Sequence, residues 1–347
     1  MRKWGYIVMA SVAALAVSAC GGNTGEGTRD FIRVVGSSTV SPFAEIIAEA
    51  ATKAEGGIKS PVIESTGTGA GMKLFCAGIG SQHPDITMAS RRMKKSEFEE
   101  CQKSGVTDII EVQIGLDGIA FAEANAGPKM ALTPTDVYKA LAANPFGKPQ
   151  TAKNWSDVNP ALPAIPILVY GPPSTSGTRD ALSELILTKG CDTDPAMKAL
   201  KDSDKDKHKE VCTKVRTDGA YVDQGENDNL IVQKIAANPK SIGVFGFSFL
   251  EENSDKIKAV PMSGVMPTFA TVADFSYPGA RPLYLYVKAA HVKAIKGIDS
   301  FLNQFVTSWG PDGALQQKGM VVAPEDVRTK NAEVVKKMTL METSELK

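Results

Sequence analysis

The sequence predicts an α/β protein whose two doubly wound lobes are joined by two crossing strands. Short β-branched runs lead into loops rich in glycine, serine and threonine, and apolar residues at helical spacing follow those loops. Alternation of this kind is typical of sheets that carry helices on both faces. The chain of 347 residues is also longer than a single core of about 250–300 residues comfortably supports. Two lobes are therefore expected.

The first lobe begins with three strands that each end in a polar loop. We predict strands at 32–35, 61–64 and 85–89. Apolar residues at helical spacing follow the first two, at 40–51 and 72–76. Because ligands of doubly wound sheets bind at the carboxyl ends of the strands, these loops are expected to face a ligand site.

The second lobe is predicted to follow a long apolar run at 112–123, which we interpret as the first crossing. A helix begins at Pro134, and a strand at 165–170 leads into a third polar loop and another helix. The charged stretch 191–212 is predicted to be a solvated helical excursion, to which we assign no function. The return crossing is expected at 282–287. The predicted bounds are 31–116 with 284–347 for lobe 1 and 117–283 for lobe 2.

The N-terminal leader, residues 1–20, has the pattern of an export signal. A basic start precedes an apolar core at 7–17 and a small-residue cleavage site. That site fits a lipobox in which Cys20 is lipidated, and it fits ordinary cleavage after Ala19 equally well. Residues 21–30 would then form a tether. Since no later run reaches the roughly 20 apolar residues of a membrane helix, we expect a periplasmic protein whose membrane contact, if Cys20 is lipidated, is a lipid anchor.

Composition and charge narrow the classes of function. The chain has 39 basic and 39 acidic residues, with 43% hydrophobic and 22% charged residues, as ordinary globular proteins do. A neutral chain offers no extended basic surface for nucleic acid. An anionic ligand would therefore be held by local donors rather than by a general positive field. We further expect a monomer.

Four cysteines remain once Cys20 is set aside. In an oxidising compartment they allow three pairings. Short loops favour Cys76 with Cys101 and Cys191 with Cys212, and four buried thiols are the alternative. The chain has neither a CxxC motif nor a clustered histidine partner, so no zinc site is expected, and no cofactor is predicted.

Three polar runs carry the strongest functional signal. They are Gly-Ser-Ser-Thr-Val at 36–40, Ser-Thr-Gly-Thr-Gly-Ala-Gly at 65–71 and Ser-Thr-Ser-Gly-Thr-Arg at 174–179. Each lies where a helix should begin, and the unpaired amides at a helix N-terminus bind tetrahedral oxyanions. Hydroxyls add further donors, and arginine adds a bidentate fork. The combination predicts an anion receptor.

The sequence does not predict an enzyme. The three histidines, His83, His208 and His291, lie in different segments, and no Gly-x-Ser-x-Gly elbow is present. No base accompanies Ser38 or Ser176 in the way that a catalytic nucleophile requires. The glycine runs also lack the lysine of a P-loop.

These motifs resemble those of the periplasmic phosphate-binding proteins of phosphate ABC transporters, the PstS family. The runs at 36–40 and 68–73 are similar to that family's first two loops, and those at 85–91 and 176–180 to a common branch of it. The resemblance covers nearly all of the mature chain. It implies a type II periplasmic binding protein that closes on inorganic phosphate and delivers it to an inner-membrane permease and its ATPase.

The resemblance also implies a shell of donors around the phosphate ion. Hydroxyls and backbone amides would contribute, and they would come from both lobes. The implied donors are Thr39, Val40, Thr68, Ser176, Gly177 and Thr178, with Ser38 and Ser65 as neighbours. From the sequence itself we add Arg91 and Arg179, the two guanidinium groups that would carry the positive charge of the site. Val40 and Gly177 would bind through their backbone amides.

Two positions depart from the family pattern. Some members have an aspartate where this chain has Arg91, and an arginine where it has Pro172. The aspartate accepts a proton from the ligand and so excludes sulfate, which has none to give. Glu64, Asp117 and Asp180 are the candidate replacements for that acceptor.

Several alternatives stay open at this level. Arg91 would have no binding role if it forms a solvated surface pair with Arg92. Arg179 would have none if it forms a salt bridge with Asp180 or Glu184 instead. The ligand would be another oxyanion, a phosphonate or a phosphate ester if the space of the missing arginine admits a substituent. A surface interaction protein without a transport role is the remaining alternative.

Overall fold

The computed structural model describes residue 1 and residues 29–54, 59–174, 176–225 and 228–346. The predicted export signal, Cys20 and most of the predicted tether lie outside the described residues. Within those residues, no helix combines the length and the apolar character that crossing a membrane requires.

The strands of the described chain form one continuous hydrogen-bonded sheet. They are β1 (Arg33–Gly36), β2 (Val62–Ser65), β3 (Ile86–Ala89), β4 (Ile109–Ala124), β5 (Val169–Gly171), β6 (Tyr221–Asp223), β7 (Ile242–Gly246), β8 (Ile257–Ala259) and β9 (Ala280–Lys288). Their order is β2-β1-β3-β9-β4-β7-β5-β6, and β8 pairs with β4. β1 lies parallel to β2 and β3, and β5 lies parallel to β6 and β7.

Two long strands run between the two halves of this sheet. β4 pairs with β9 from Ile109 opposite Lys288 to Gly118 opposite Ala280. The last part of β4 pairs instead with β7 and β8. β4 and β9 are thus the two predicted crossing strands, and the two-lobed α/β fold is confirmed. We call the half that contains β1, β2 and β3 lobe 1, and the half that contains β5 to β8 lobe 2.

Helices cover the faces of the sheet. They are α1 (Ser41–Ala54), α2 (Thr68–Phe75), α3 (Lys95–Lys103), α4 (Pro134–Leu141), α5 (Trp155–Val158), α6 (Gly177–Ala181), α7 (Thr188–Cys191), α8 (Pro195–Ser203), α9 (Lys205–Thr213), α10 (Asp228–Ala237), α11 (Phe247–Glu252), α12 (Phe269–Ala273), α13 (Ala289–Val292), α14 (Ile298–Ser308), α15 (Ala314–Gln317) and α16 (Glu325–Lys337). A π-helical turn, Leu182–Leu187, joins α6 to α7. In α1, Phe43, Ile47 and Ala51 recur at four-residue spacing, and that spacing buries them together against lobe 1.

Each lobe buries its own apolar core. Val34, Ile47 and Phe301 belong to the main core of lobe 1. Phe121 and Val244 belong to the core of lobe 2. Two cores that are joined through a pair of strands form the arrangement that permits hinge closure around a ligand.

The two predicted disulfides are confirmed. Cys76 is bonded to Cys101 and Cys191 to Cys212, with Cα atoms 4.1 Å and 5.4 Å apart. The second disulfide closes a hairpin of α8 and α9, so the charged excursion is helical as predicted. His208 lies with Cys191 and Cys212, within 4.8 Å between their ligand atoms. Because both sulfurs are bonded to each other, neither is available as a thiolate for a metal ion.

One strand is shorter than predicted. The apolar run at 165–170 predicts a strand over its whole length, but β5 begins only at Val169. Pro166 has no amide hydrogen for a ladder and forms an isolated bridge with Asn154 instead.

Candidate functional site

The first polar loop begins at the carboxyl end of β1. Gly36 has φ +128°, and a Cβ there would lie 2.2 Å from the carbonyl oxygen of Met88. Only glycine allows the chain to turn this close to β3. The Ser37 amide then donates to the same Met88 carbonyl at 2.9 Å. This anchored turn places Ser38 and Thr39 at the edge of lobe 1 that faces lobe 2.

The second and third strands bring hydroxyls to the same edge. Thr68 Oγ1 lies 3.0 Å from Ser90 Oγ and accepts the Ser90 amide at 3.2 Å, and both residues are buried. Thr66 Oγ1 is buried without a hydrogen-bond partner among the described residues. An unpaired buried hydroxyl is unfavourable. The Thr66 hydroxyl is therefore an unused donor beside this edge in the described structure.

The third polar loop leads into α6 of lobe 2. Ser176 caps the helix, and its Oγ accepts the Thr178 amide at 3.2 Å. Gly177 is the first helical residue, and a Cβ there would lie 2.5 Å from Thr39 Cα. The start of α6 is therefore in direct backbone contact with the first loop of lobe 1.

Two hydrogen bonds join the lobes at this contact. Ser38 Oγ donates to Asp180 Oδ2 at 2.5 Å. Thr39 Oγ1 donates to the Gly177 carbonyl oxygen at 3.3 Å. The lobes are thus closed against each other where the predicted ligand residues meet.

Arg281 of β9 bonds to both lobes at the same place. Its Nε donates to Asp117 Oδ2 at 2.9 Å, and its Nη1 donates to Glu184 Oε2 at 3.0 Å. Its Nη2 donates to Thr39 Oγ1 at 2.6 Å and to the Gly177 carbonyl at 3.2 Å. Arg281 is 2% exposed. Arg281 is absent from the predicted set. The feature of the sequence that could have indicated it is the position of an arginine within a largely apolar crossing strand.

Arg179 lines the second cavity, and its guanidinium lies over an aromatic ring of lobe 2. Its guanidinium carbon is 4.4 Å from the centre of the Tyr221 ring, and its Nη1 donates to the Pro172 carbonyl at 3.4 Å. Burial raises the pKa of Tyr221 to about 12, and the Arg179 charge opposes that rise. Arg179 forms no salt bridge within the described part of the chain. Its alternative pairing with Asp180 or Glu184 is therefore not found.

Arg91 is paired within lobe 1. Its two Nη atoms donate to the two carboxylate oxygens of Glu97 at 2.9 Å and 2.7 Å. Burial lowers the pKa of Arg91, but the hydrogen bonds and the charge of Glu97 raise it further, above its usual value. Arg92 pairs separately with Glu111. The Arg91 charge is therefore already offset before any ligand arrives.

The residues described above line two cavities between the lobes. The first has a volume of about 570 Å³, and Ser38, Thr39, Ser176, Gly177 and Thr178 line it. The second has a volume of about 850 Å³, and its lining includes Thr68, Ser90, Arg91, Arg179 and Asp180. Both cavities are bounded by residues of both lobes.

Two residues of the predicted set line neither cavity. Val40 is fully buried, and its amide donates to the Ser37 carbonyl at 3.2 Å. Ser65 is exposed at the end of β2. Thr66 and Ser90 are among the residues outside the predicted set that line the second cavity, and both carry hydroxyls.

The three carboxylates that are candidates for the proton acceptor differ in their partners. Glu64 is paired with Arg33 at 2.6 Å, and Asp117 is paired with Arg281 at 2.9 Å. Asp180 accepts from the neutral hydroxyl of Ser38. Asp180 is thus the candidate that faces the cleft without an ion pair in the described residues.

Comparison with known proteins gives concordant likenesses over both lobes. Residues 21–308 match the sequence model of the PBP superfamily domain. Protein SphX of Synechococcus elongatus is 32% identical over 87% of this chain and 81% of its own length. The phosphate-binding protein PstS of Staphylococcus saprophyticus is 30% identical over 94% of this chain and 92% of its own length. The crystal structure of a possible phosphate binding protein from Planctomyces limnophilus matches with TM-score 0.72 and 27% identity, over 88% of this chain and 98% of that one.

Proposed function

The chain belongs to the PBP superfamily and, within it, to the family of phosphate-binding proteins PstS, and we propose that it captures inorganic phosphate between its lobes. It would then deliver the ion to an inner-membrane ABC permease that an ATPase drives. A receptor of this kind releases its ligand chemically unchanged, so we propose no catalytic step.

One observation carries this proposal: hydroxyls and amides of both lobes converge on one cleft. Ser38 and Thr39 follow β1 of lobe 1, and Ser176, Gly177 and Thr178 follow β5 of lobe 2. Open α/β sheets bind their ligands at this edge, outside the carboxyl ends of the strands. A tetrahedral oxyanion accepts hydrogen bonds from several directions at once.

We assign the ligand contacts to groups that line the two cavities, which meet at the Ser38–Asp180 contact. From the first cavity, Thr39, Ser176 and Thr178 would donate hydroxyls, and Gly177 would donate its amide. From the second cavity, Thr68 would donate its hydroxyl. Arg179 would supply the charge that balances phosphate, since it has no carboxylate partner among the described residues. Arg91 would contribute less, because Glu97 already offsets its charge and accepts from two of its five N–H donors. The predicted contacts of Val40 and Ser65 have no support from the cavity linings.

Closure of the lobes couples binding to delivery in this proposal. A bound phosphate would join the lobes through its own oxygens at the place where Ser38 and Thr39 now bond directly to lobe 2. Charge-assisted hydrogen bonds are stronger in a cleft from which water is excluded. The ligand would therefore stabilise the closed form, and the permease would recognise that form.

We infer that Asp180 supplies the proton acceptor that the position of Arg91 lacks. Glu64 and Asp117 are neutralised by arginines, whereas Asp180 accepts from a hydroxyl. A protonated phosphate oxygen would take the place of the Ser38 hydroxyl on that carboxylate. Sulfate has no proton to give and would be repelled by its negative charge.

The location of the protein in the periplasm agrees with its family, and we retain Cys20 as the proposed site of a lipid anchor. Replacing Cys20 by serine is expected to move the protein from the membrane fraction to the soluble fraction. A protein that is soluble with Cys20 intact would instead indicate ordinary cleavage after Ala19.

Isothermal titration calorimetry with inorganic phosphate and with sulfate tests the ligand. The mature protein is expected to bind phosphate with measurable heat and a raised melting temperature, and to bind sulfate far more weakly. The absence of both signals at millimolar phosphate would reject the proposal.

The variant Asp180→Asn tests the proton acceptor, and it is expected to lower the ratio of phosphate affinity to sulfate affinity. Asp299→Asn is the control, because Asp299 is exposed on α14 of lobe 1. That variant should leave the ratio unchanged.

A further inference from the structure

The hairpin of α8 and α9 lies beside the cleft and supplies none of the proposed phosphate contacts. The Cys191–Cys212 disulfide closes its base, and Met197 packs it against the core of lobe 2. One side of the hairpin borders the second cavity through Lys201 of α8 and Lys209 of α9. The hairpin is therefore held firmly enough to place charges at a defined position.

We call Lys201, Lys209 and the neighbouring Lys214, which all line the second cavity, the lysine wall. Among the described residues, no carboxylate lies within salt-bridge distance of the amino groups of Lys209 and Lys214. Lys201 has one such partner, Asp192, at 3.5 Å. The wall thus presents positive charge that is offset only in part.

The carboxylates that line the second cavity do not neutralise the wall. They are Asp180 and Glu184. Glu184 already accepts from Arg281 at 3.0 Å, whereas Asp180 keeps its charge because its partner Ser38 is neutral. These two carboxylates are outnumbered by the cations of the same lining, so the cavity is net positive. The cations are Lys94, Arg179, Lys201, Lys209 and Lys214.

Lobe 1 adds a further cation opposite the wall. Lys94, next to α3, lines the same cavity. Burial lowers the pKa of Lys94, and the charges of Arg91, Lys201 and Lys205 lower it further, while Glu97 acts in the opposite direction. Like charges thus approach each other across the cleft when the lobes close. An anion that lies between them relieves this repulsion.

We propose that the lysine wall is an entry site that draws phosphate into the cleft before the lobes close around it. This inference rests on the proposed function. A cleft lined by one sign of charge concentrates ions of the opposite sign and accelerates their association. The chain as a whole is neutral, with 39 basic and 39 acidic residues, so this local field is its means of steering an anion.

The second cavity is larger than one phosphate ion, so the lysine wall need not contact the ion once it is bound. Its volume of about 850 Å³ is in the range of sites for drug-sized ligands, roughly 300–1,000 Å³. A phosphate ion that is held by Thr68 and Arg179 fills only a part of that space. The wall therefore acts on the ion during its approach, and the rate constant of association is the quantity that should depend on it.

Stopped-flow mixing with inorganic phosphate at several salt concentrations tests the entry site on the full mature protein. The triple variant Lys201→Gln, Lys209→Gln and Lys214→Gln is expected to bind phosphate about 5- to 10-fold more slowly at low ionic strength. The dissociation rate constant should change less than about 2-fold. The difference should shrink as salt rises towards 0.5 M, because the Debye length shortens to about 4 Å.

The matched control removes three lysines that line neither cavity. Lys198 lies on the same hairpin, and Lys234 and Lys240 are exposed elsewhere in lobe 2. The triple variant Lys198→Gln, Lys234→Gln and Lys240→Gln changes the net charge by the same amount, and it should associate at the wild-type rate.

Two results would overturn the entry site. One is an equal loss of association rate in both triple variants, since that would assign the effect to net charge. The other is a faster dissociation of the wall variant at an unchanged association rate, since that would make the lysines part of the bound-state contacts. A wild-type protein that binds no phosphate in the same experiment rejects the proposed function itself, so the two failures are distinguishable.

Discussion

The two lobes meet the shared cleft with different chemistry. Lobe 1 presents mainly hydroxyls on tight loops, and its cleft arginine, Arg91, is already paired with Glu97. Lobe 2 lines the second cavity with Arg179, Asp180 and the lysine wall, and ion pairs among the described residues offset these charges only in part. Lobe 1 is thus suited to orienting the phosphate ion through hydroxyl groups. Lobe 2 is suited to attracting the ion and to distinguishing it from other anions by charge.

The first prediction concerns Arg281, whose hydrogen bonds join the two lobes. Arg281→Met removes the guanidinium that bonds Thr39 in lobe 1 and Glu184 in lobe 2, and it leaves Asp117 without its cation. Loss of one partner of a buried ion pair typically lowers the free energy of unfolding by about 3–5 kcal/mol. Urea denaturation measures that loss, and calorimetry should show weaker phosphate binding as well.

Arg216→Met is the matched control for this change. Arg216 is also buried, but its partners Asp218, Ala140 and Ala152 all lie in lobe 2. Its removal should lower the free energy of unfolding and leave the dissociation constant for phosphate unchanged. If Arg281→Met also leaves that constant unchanged, Arg281 stabilises the fold and has no part in joining the lobes for binding.

A second prediction concerns the contact of the two backbones. In Gly177→Ala, the new Cβ would lie 2.5 Å from Thr39 Cα, which is a backbone atom that cannot swing away. We expect the dissociation constant for phosphate to rise about 100-fold, which corresponds to about 2.7 kcal/mol. Gly69→Ala is the control, because a Cβ at that position meets no atom within 4 Å. Equal affinities of the two variants would show that the bound form keeps the lobes further apart.

The third prediction compares one arginine from each lobe. Arg179→Ala should weaken phosphate binding by about 2 kcal/mol, since it removes a charged donor that has no carboxylate partner in the described chain. Arg91→Ala should cost less, about 1 kcal/mol, because Glu97 already accepts from both Nη atoms of Arg91 and offsets its charge. Calorimetry on both variants measures the order. The reverse order would mean that phosphate displaces Glu97 from Arg91.

The contrast between hydroxyl groups and charged groups also explains how much of the site could be predicted from the sequence. Ser38, Thr39, Thr68 and Ser176 belong to local strand–loop–helix motifs, whose geometry depends on neighbours in the chain, and all of them line the cleft. Ser65 lies in such a motif too, but the end of β2 turns it to solvent. Local pattern therefore predicts most of the hydroxyl side.

The charged side depends on partners that are distant in the chain. Arg281 lies 242 positions from Thr39, to which it donates, and Ser38 lies 142 positions from Asp180. No spacing rule connects such pairs, because only the folded sheet brings β9 and α6 together. The fold itself was easier to predict, since both crossing strands and both disulfides follow from runs and loops that are read locally.

The last prediction concerns the buried charge that lobe 1 keeps away from the cleft. Lys288, at the end of β9, lies beside the amino end of β3, where its amide donates to the Asp85 carbonyl. Its side chain is nearly inaccessible to solvent, with its Nζ donating to the Gly78 carbonyl at 2.5 Å. Burial lowers the pKa of Lys288 to about 7. The charged form is therefore unfavourable in the folded protein.

This shift has a definite sign in the pH dependence of stability. Between about pH 7 and the ordinary lysine pKa near 10.4, the unfolded chain binds more protons at this residue than the folded chain does. Stability should therefore rise with pH, by about 2 kcal/mol between pH 7 and pH 9. Lys288→Met should remove most of that rise, and the exposed Lys293→Met should keep it. Urea denaturation at the two pH values measures the difference, and an unchanged slope in Lys288→Met would mean that Lys288 stays protonated in the folded lobe and that its charge is stabilised there.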